Sequence, residues 1–210
     1  MFPTAEVRWF YRDHLPLEVE AWFHQGAGMA EQRPSREHHY LRLEDTYALG
    51  IKLRGGCIEI KQRVRRPGVF RFHERVTGIV EHWRKWSFQL AEPDSVLSSI
   101  SVPATSWIAV RKERMLRGYR LTLDKNVVPV SRSEPTREGC ELELSEVHVG
   151  EQDWWTLAFE AFGEEPILQE QLELVARHVF AATEPPSLNA SQSRGYPDWL
   201  VKTARKEKTI

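Results

Sequence analysis

Cysteine is scarce: Cys57 and Cys140 are the only two in 210 residues. Two are too few for a disulfide framework or a four-ligand zinc site, and the expectation is a reducing, cytoplasmic setting. Long apolar runs are missing as well. No window approaches the roughly 18 uncharged apolar residues that a spanning helix needs, so no membrane is expected as a partner. The opening stretch Met1-Phe2-Pro3-Thr4-Ala5-Glu6 has no basic region leading into an apolar core, so no secretory leader is expected. Neither a GxGxxG turn nor a Walker-type glycine loop occurs, which argues against those two ways of cradling a nucleotide. An excess of either charge is also lacking, with 29 Lys and Arg against 30 Asp and Glu and a formal net charge of −1. Without a broad positive footprint, nucleic acid is disfavoured as a partner.

What is present is an ordinary globular composition with an uneven charge map. Hydrophobic residues make up 41% and charged residues 28%, enough to bury a core without a metal or a cross-link. At this length the chain is one large domain or two small ones. From Lys52 to Arg75 eight basic residues face only Glu59 and Glu74, and from Glu134 to Glu173 twelve acidic residues face only Arg137. Arg111 to Lys125 is basic again. The fold must bring these segments together or present opposed surfaces.

The charges alternate with apolar residues, the period of a strand with one dry and one wet face. Ile51 and Leu53 alternate with Lys52 and Arg54; after Gly55-Gly56, a hairpin signal, Ile58 and Ile60 alternate with Glu59, Lys61 and Arg63. Val110 shares a phase with Lys112 and Arg114. Leu142 and Leu144 alternate with Glu141 and Glu143, and Trp155, Leu157 and Phe159 with Thr156, Ala158 and Glu160. At Ser145 the alternation slips, so a bulge or strand end is expected there. An antiparallel sheet accounts for all of these segments, and solvated strand faces alone would produce the same pattern.

The remaining segments complete an α+β domain. Pro16 to Gly26 reads as a short helix, and Pro166 to Ala182 as a stronger one. Residues 27 to 37, polar and proline-containing, read as a loop. The expected division is a barrel domain with its C-terminal helix over 1–183, then a linker and tail over 184–210. In that tail Trp199 and Leu200 are candidates to dock a short helix, or to meet a partner or second copy. His38-His39 reads as a surface pair, because adjacent strand residues point apart.

The order of these motifs resembles the CYTH, or triphosphate tunnel, family. Tyr40-Leu41, Asp45-Thr46, Leu49-Gly-Ile51-Lys52-Leu53-Arg54 and Ile58-Glu59-Ile60-Lys61-Gln62-Arg63 match its first half. Val110-Arg111-Lys112-Glu113-Arg114, Glu141-Leu-Glu143-Leu and Leu157-Ala158-Phe159-Glu160 match its second. The resemblance implies an antiparallel barrel of about eight strands with a few flanking helices and inward-pointing charges. It implies phosphate contacts at Arg54, Lys61, Lys112 and Arg114, joined on the same strand faces by Lys52 and Arg63. It also implies a Mg²⁺ or Mn²⁺ ion on Glu6, Glu143 and Glu160, with Glu141 beside them, since a hard cation takes oxygen ligands. The ligand would be a triphosphate, polyphosphate or nucleotide, and the reaction a metal-assisted phosphohydrolysis that mainly positions groups and neutralises charge.

One departure alters that expectation. The family's first strand carries Glu-x-Glu-x-Lys, whereas this chain has Glu6-Val7-Arg8-Trp9-Phe10. A base at position 8 puts positive charge where a cation is normally held, and the lysine is lost. The sequence therefore also allows a binding module that holds a phosphorylated ligand without hydrolysing it, or an interaction domain on the same barrel.

Overall fold

The computed structural model describes residues 1–90, 106–131 and 136–207; Glu134, at the head of the acidic run, lies outside the described residues. In chain order the elements are β1 (Phe2–Arg12), α1 (Leu17–Gln25), β2 (Glu31–Leu41), β3 (Leu49–Arg54), β4 (Cys57–His73) and β5 (Val76–Gln89). Then follow β6 (Trp107–Leu121), β7 (Val127–Val130), β8 (Gly139–Val149), β9 (Gln152–Phe162), α2 (Leu168–Ala182) and α3 (Tyr196–Glu207). Eight strands close into an antiparallel ring, β2-β3-β4-β5-β1-β9-β8-β6, because β6 pairs back onto β2. Strand β7 adds to β6 beyond that ring. The expected α+β barrel with flanking helices is what the chain forms. No described helix is long and apolar enough to cross a membrane.

The principal apolar core lies outside the ring, between the barrel wall and the helices. Val7, Trp9, Leu142, Leu144, Leu157 and Phe159 project from the wall and pack with Val19, Trp22 and Phe23 of α1 and Leu172, Val175 and Phe180 of α2. Trp9 meets Phe72 and Phe180 edge-on at 6.2 and 6.3 Å and donates its indole N–H to the Thr77 carbonyl at 2.8 Å. Arg117 of β6 secures the C-terminal end of α1, donating from Nε to the Phe23 carbonyl and from Nη2 to the His24 carbonyl, each at 3.1 Å. The Phe23 carbonyl also takes the Gly26 amide at 3.4 Å; last-turn carbonyls lack the donor that a continuing helix would supply. With period two, dry outward residues leave the charged ones pointing inward.

Two sequence expectations are corrected. Residues 31–37, read as loop, begin β2. That part of the strand has no apolar alternation because it is exposed or half-exposed, and its register on β6 shifts between Arg33 and Arg36. Pro34 falls in the shift, where its missing N–H costs no ladder bond. The bulge expected at Ser145 is absent, since β8 pairs with β6 and β9 without a register shift. What changes there is the surroundings of each face. The inward face passes from Glu143 through buried Ser145 to Val147 and Val149, while the outward face passes from buried Leu144 to half-exposed Glu146 and His148.

The inward apolar residues meet the end of the chain. Pairing of β1 with β5 stops at Val7↔Val80, and residues 188–194 fill the gap beyond it. There the Thr77 amide donates to the Leu188 carbonyl at 2.9 Å, the Ile79 amide to Ser193 Oγ at 2.8 Å and the Arg194 amide to the Arg8 carbonyl at 2.9 Å. At Gly195 a Cβ would lie 2.5 Å from Trp83 Cζ2 and 2.7 Å from a Glu81 oxygen, so only glycine passes without displacing the wall. Helix α3 then sets Trp199, 2% exposed, in a cluster with Leu200, Phe10, Tyr40, Val110, Val147 and Val149. Trp199 stacks on Phe10 at 4.7 Å and 10° and meets Trp154 edge-on at 5.5 Å. The lumen thus has a charged part and an apolar part plugged by α3, and Phe10, where the family pattern has lysine, is an anchor of the plug.

Candidate functional site

The charged part of the lumen encloses a cavity of about 430 Å³, within the usual range for small-molecule sites. Nine of the expected ten site residues line it: Lys52, Arg54, Lys61, Lys112, Arg114, Glu6, Glu141, Glu143 and Glu160. Arg63 does not. It shares the strand face of Lys61 and approaches the same Trp83 ring, but its guanidinium bonds Glu81 at 2.6 Å. The lining also includes Arg8, Arg33, Arg36, Lys85, His38, Tyr40, Glu59, Trp83 and Tyr196, so nine basic side chains surround one cavity with five carboxylates.

The carboxylates hold the bases in place. Glu6 accepts from Arg8 Nε at 2.6 Å and from Lys61 Nζ. Burial raises the Glu6 carboxyl, but the Lys61 and Arg8 charges and their hydrogen bonds outweigh it and hold it at about 2. Glu143 accepts from Arg8 Nη1 at 2.7 Å and Ser145 Oγ at 3.1 Å, with Arg114 at 3.6 Å. Against the pull of burial, Arg8, Arg114 and Lys112 keep it far below the ordinary carboxylate range. Glu59 bonds Lys52 at 2.8 Å, with Arg54 at 3.5 Å and Lys85 at 3.8 Å. Burial raises it too, and Lys52, Lys85 and Arg54 bring it to about 2. Glu160 stands 3.5 Å from Lys61 and opposite Glu141 in the β8–β9 register.

Lys112 is different. Only 5% exposed, it has no carboxylate within ion-pair distance among the described residues. Its ammonium donates to the Tyr40 hydroxyl at 2.7 Å and sits over the Tyr196 ring at 3.4 Å. Burial, then the Lys52, Arg8 and Arg114 charges, push its amine well below the usual lysine range, with Glu143 pulling the other way. Its neighbour His38, 2% exposed, is pushed down to about 2 by burial and by the Lys112, Lys52, Arg54 and Arg114 charges. His38 therefore adds no charge at neutral pH. The surface position expected for the His38-His39 pair holds only for His39, whose ring meets Glu37 at 3.3 Å.

The fit to a divalent cation is poor at two of the four expected ligands. The Arg8 guanidinium bridges Glu6 and Glu143 and also donates to Thr156 Oγ1 at 3.1 Å. No three His, Cys, Asp or Glu side chains among the described residues are grouped to hold a metal ion. The arrangement suits an anion: fixed donors, mutually braced, with positive charge left over.

Some of these residues were legible by phase and some were not. Glu59 shares the phase of Lys61, and His38 that of Tyr40. Arg33 and Arg36 lie on the exposed, register-shifted part of β2, which carries no strand period, and Tyr196 arrives from the far end of the chain. The chain matches no family model and no curated protein. Solved structures similar to it include a conserved hypothetical protein from Pyrococcus furiosus, 13% identical with a TM-score of 0.47 over 93% of this chain and 98% of that one. Another is the PH1819 protein from Pyrococcus horikoshii OT3, 12% identical with a TM-score of 0.47 over 95% of this chain and 99% of that one.

Proposed function

We propose that the barrel lumen binds a triphosphate or another phosphate-rich small molecule, as its resemblance to the CYTH family implies. The observation that carries this reading is the excess of base over acid around the cavity, nine side chains against five, and within it a buried lysine with no carboxylate at ion-pair distance among the described residues. Buried positive charge is costly unless it is paired. A polyphosphate supplies the missing negative charge on many oxygens, which the arginine forks meet bidentately and the lysines as point charges. Tyr40 and Tyr196 line the site next to Lys112, and the apolar plug lies behind them. Binding without turnover is the favoured form of the reading, because Arg8 occupies two of the carboxylates that metal-assisted hydrolysis would need.

Thermal unfolding of the full chain in EDTA tests this. With tripolyphosphate at about one hundred times its dissociation constant, the native state gains about 2.7 kcal/mol. For a chain of this length that raises the melting temperature by about 5–10 °C. An unchanged melting temperature with tripolyphosphate, long-chain polyphosphate and nucleoside triphosphates alike contradicts the reading. Steady release of phosphate from tripolyphosphate with Mg²⁺ or Mn²⁺ would instead identify the phosphohydrolase.

A further inference from the structure

Arg8 is the most constrained cation of the lumen. It is 5% exposed, bonds Glu6 at 2.6 Å, Glu143 at 2.7 Å and Thr156 at 3.1 Å, and lies 5.0 Å from the centre of the Tyr196 ring. Its strand partner across β9 is Ala158, which leaves room for the guanidinium to reach both acids. Every carboxylate oxygen of the two acids faces a base or a hydroxyl. Glu6 Oε2 takes Lys61, and Glu143 Oε2 faces Arg114 at 3.6 Å.

We propose that Arg8 is a fixed counter-cation that bars divalent metal ions from Glu6 and Glu143, so that the tunnel takes its anion free of metal. The second half of this statement rests on the phosphate-binding reading; the first does not. An arginine stays protonated at every physiological pH, so its hold on the two acids does not relax. Mg²⁺ needs near-octahedral oxygen ligands at about 2.0–2.1 Å. To obtain them from Glu6 and Glu143 it would have to expel the guanidinium, leaving a buried cation unpaired beside a second one. A polyphosphate already complexed with Mg²⁺ also carries less charge into a lumen whose remaining demand is for negative charge. Free Mg²⁺ therefore competes with the protein for the ligand.

The two halves are measured separately. Mn²⁺ is titrated into the full-length wild type without phosphate and followed by the paramagnetic resonance of the free ion. Wild type is expected to leave Mn²⁺ free up to about 1 mM, while Arg8→Ala binds one ion at least about tenfold more tightly, and Arg8→Ala with Glu143→Gln loses that gain. Stoichiometric Mn²⁺ binding by wild type, or none gained by a folded Arg8→Ala, overturns the proposal. If Arg8→Ala folds only with Mn²⁺ present, that rescue supports it; if it folds under neither condition, wild-type Mn²⁺ binding decides.

Calorimetric titration of wild type with tripolyphosphate then compares EDTA with excess Mg²⁺. Apparent affinity at least about tenfold higher in EDTA supports metal-free uptake, and a requirement for Mg²⁺ overturns it. Absence of binding in both buffers overturns the phosphate reading and the metal-free uptake that rests on it, and leaves the Mn²⁺ titration to judge Arg8.

Discussion

Truncating Trp199 to alanine is expected to lower the melting temperature by about 10 °C. Deleting a fully buried aromatic costs about 3–5 kcal/mol in lost transfer free energy and residual cavity, and a chain of this size loses about 2–4 °C per kcal/mol. The loss is not confined to α3. Trp199 stacks on Phe10 and meets Trp154 and Tyr196 edge-on, and Tyr196 is the ring under Lys112. Trp199→Phe keeps the stack and is expected to recover most of the stability. Thermal unfolding followed by circular dichroism checks both variants. A drop of less than about 2 °C for Trp199→Ala would mean that the plug does not hold the barrel end.

The second large effect is acid instability. Glu6 and Glu59 titrate at about 2 in the folded chain against 4.5 for the ordinary carboxyl. Because the folded values are the lower ones, the stabilisation is complete above about pH 4.5 and is lost as pH falls towards 2. At about 1.4 kcal/mol per unit, each group accounts for roughly 3 kcal/mol, an order of magnitude only. His38 acts in the same direction from higher pH. Its folded value of about 2 lies below the ordinary 6.5, so its stabilisation begins to fall below about pH 6.5. Glu81 opposes them, since burial, against the pull of Arg63, raises its carboxyl. The melting temperature is therefore expected to drop steeply between about pH 5 and pH 3, and less steeply in Glu6→Gln than in wild type. Equal slopes for the two proteins would contradict the assignment to Glu6.

The parts of the fold legible in the sequence are those where one element carries its own signal. The Gly55-Gly56 hairpin is one, with φ of +52° and +75° at its two turn residues. The helix ending at Ala182 and the inward phase of Lys52, Arg54, Lys61, Lys112 and Arg114 are others. What escaped was relational. Residues 31–37 look like loop because their side chains meet water, and only pairing with β6 makes them strand. The faces of β8 exchange character at Ser145 because α3 enters one side and helix cover ends on the other, which no local period encodes. Arg63 keeps the right phase yet turns to Glu81, a carboxylate of the neighbouring strand β5.

The most direct test of a phosphate-binding lumen is calorimetric titration of tripolyphosphate, in EDTA, into wild type, Lys112→Met and Arg71→Ala. Lys112 is buried beside the cavity, whereas Arg71 is exposed, does not line the cavity and donates to the Glu74 carbonyl at 3.4 Å. A hydrogen bond to a charged group contributes about 1.5–3 kcal/mol, so Lys112→Met is expected to weaken binding about 10- to 100-fold, with Arg71→Ala indistinguishable from wild type. Equal affinity in all three proteins, or a loss confined to Arg71→Ala, would place the anion outside the barrel and contradict the assignment of the site to its interior.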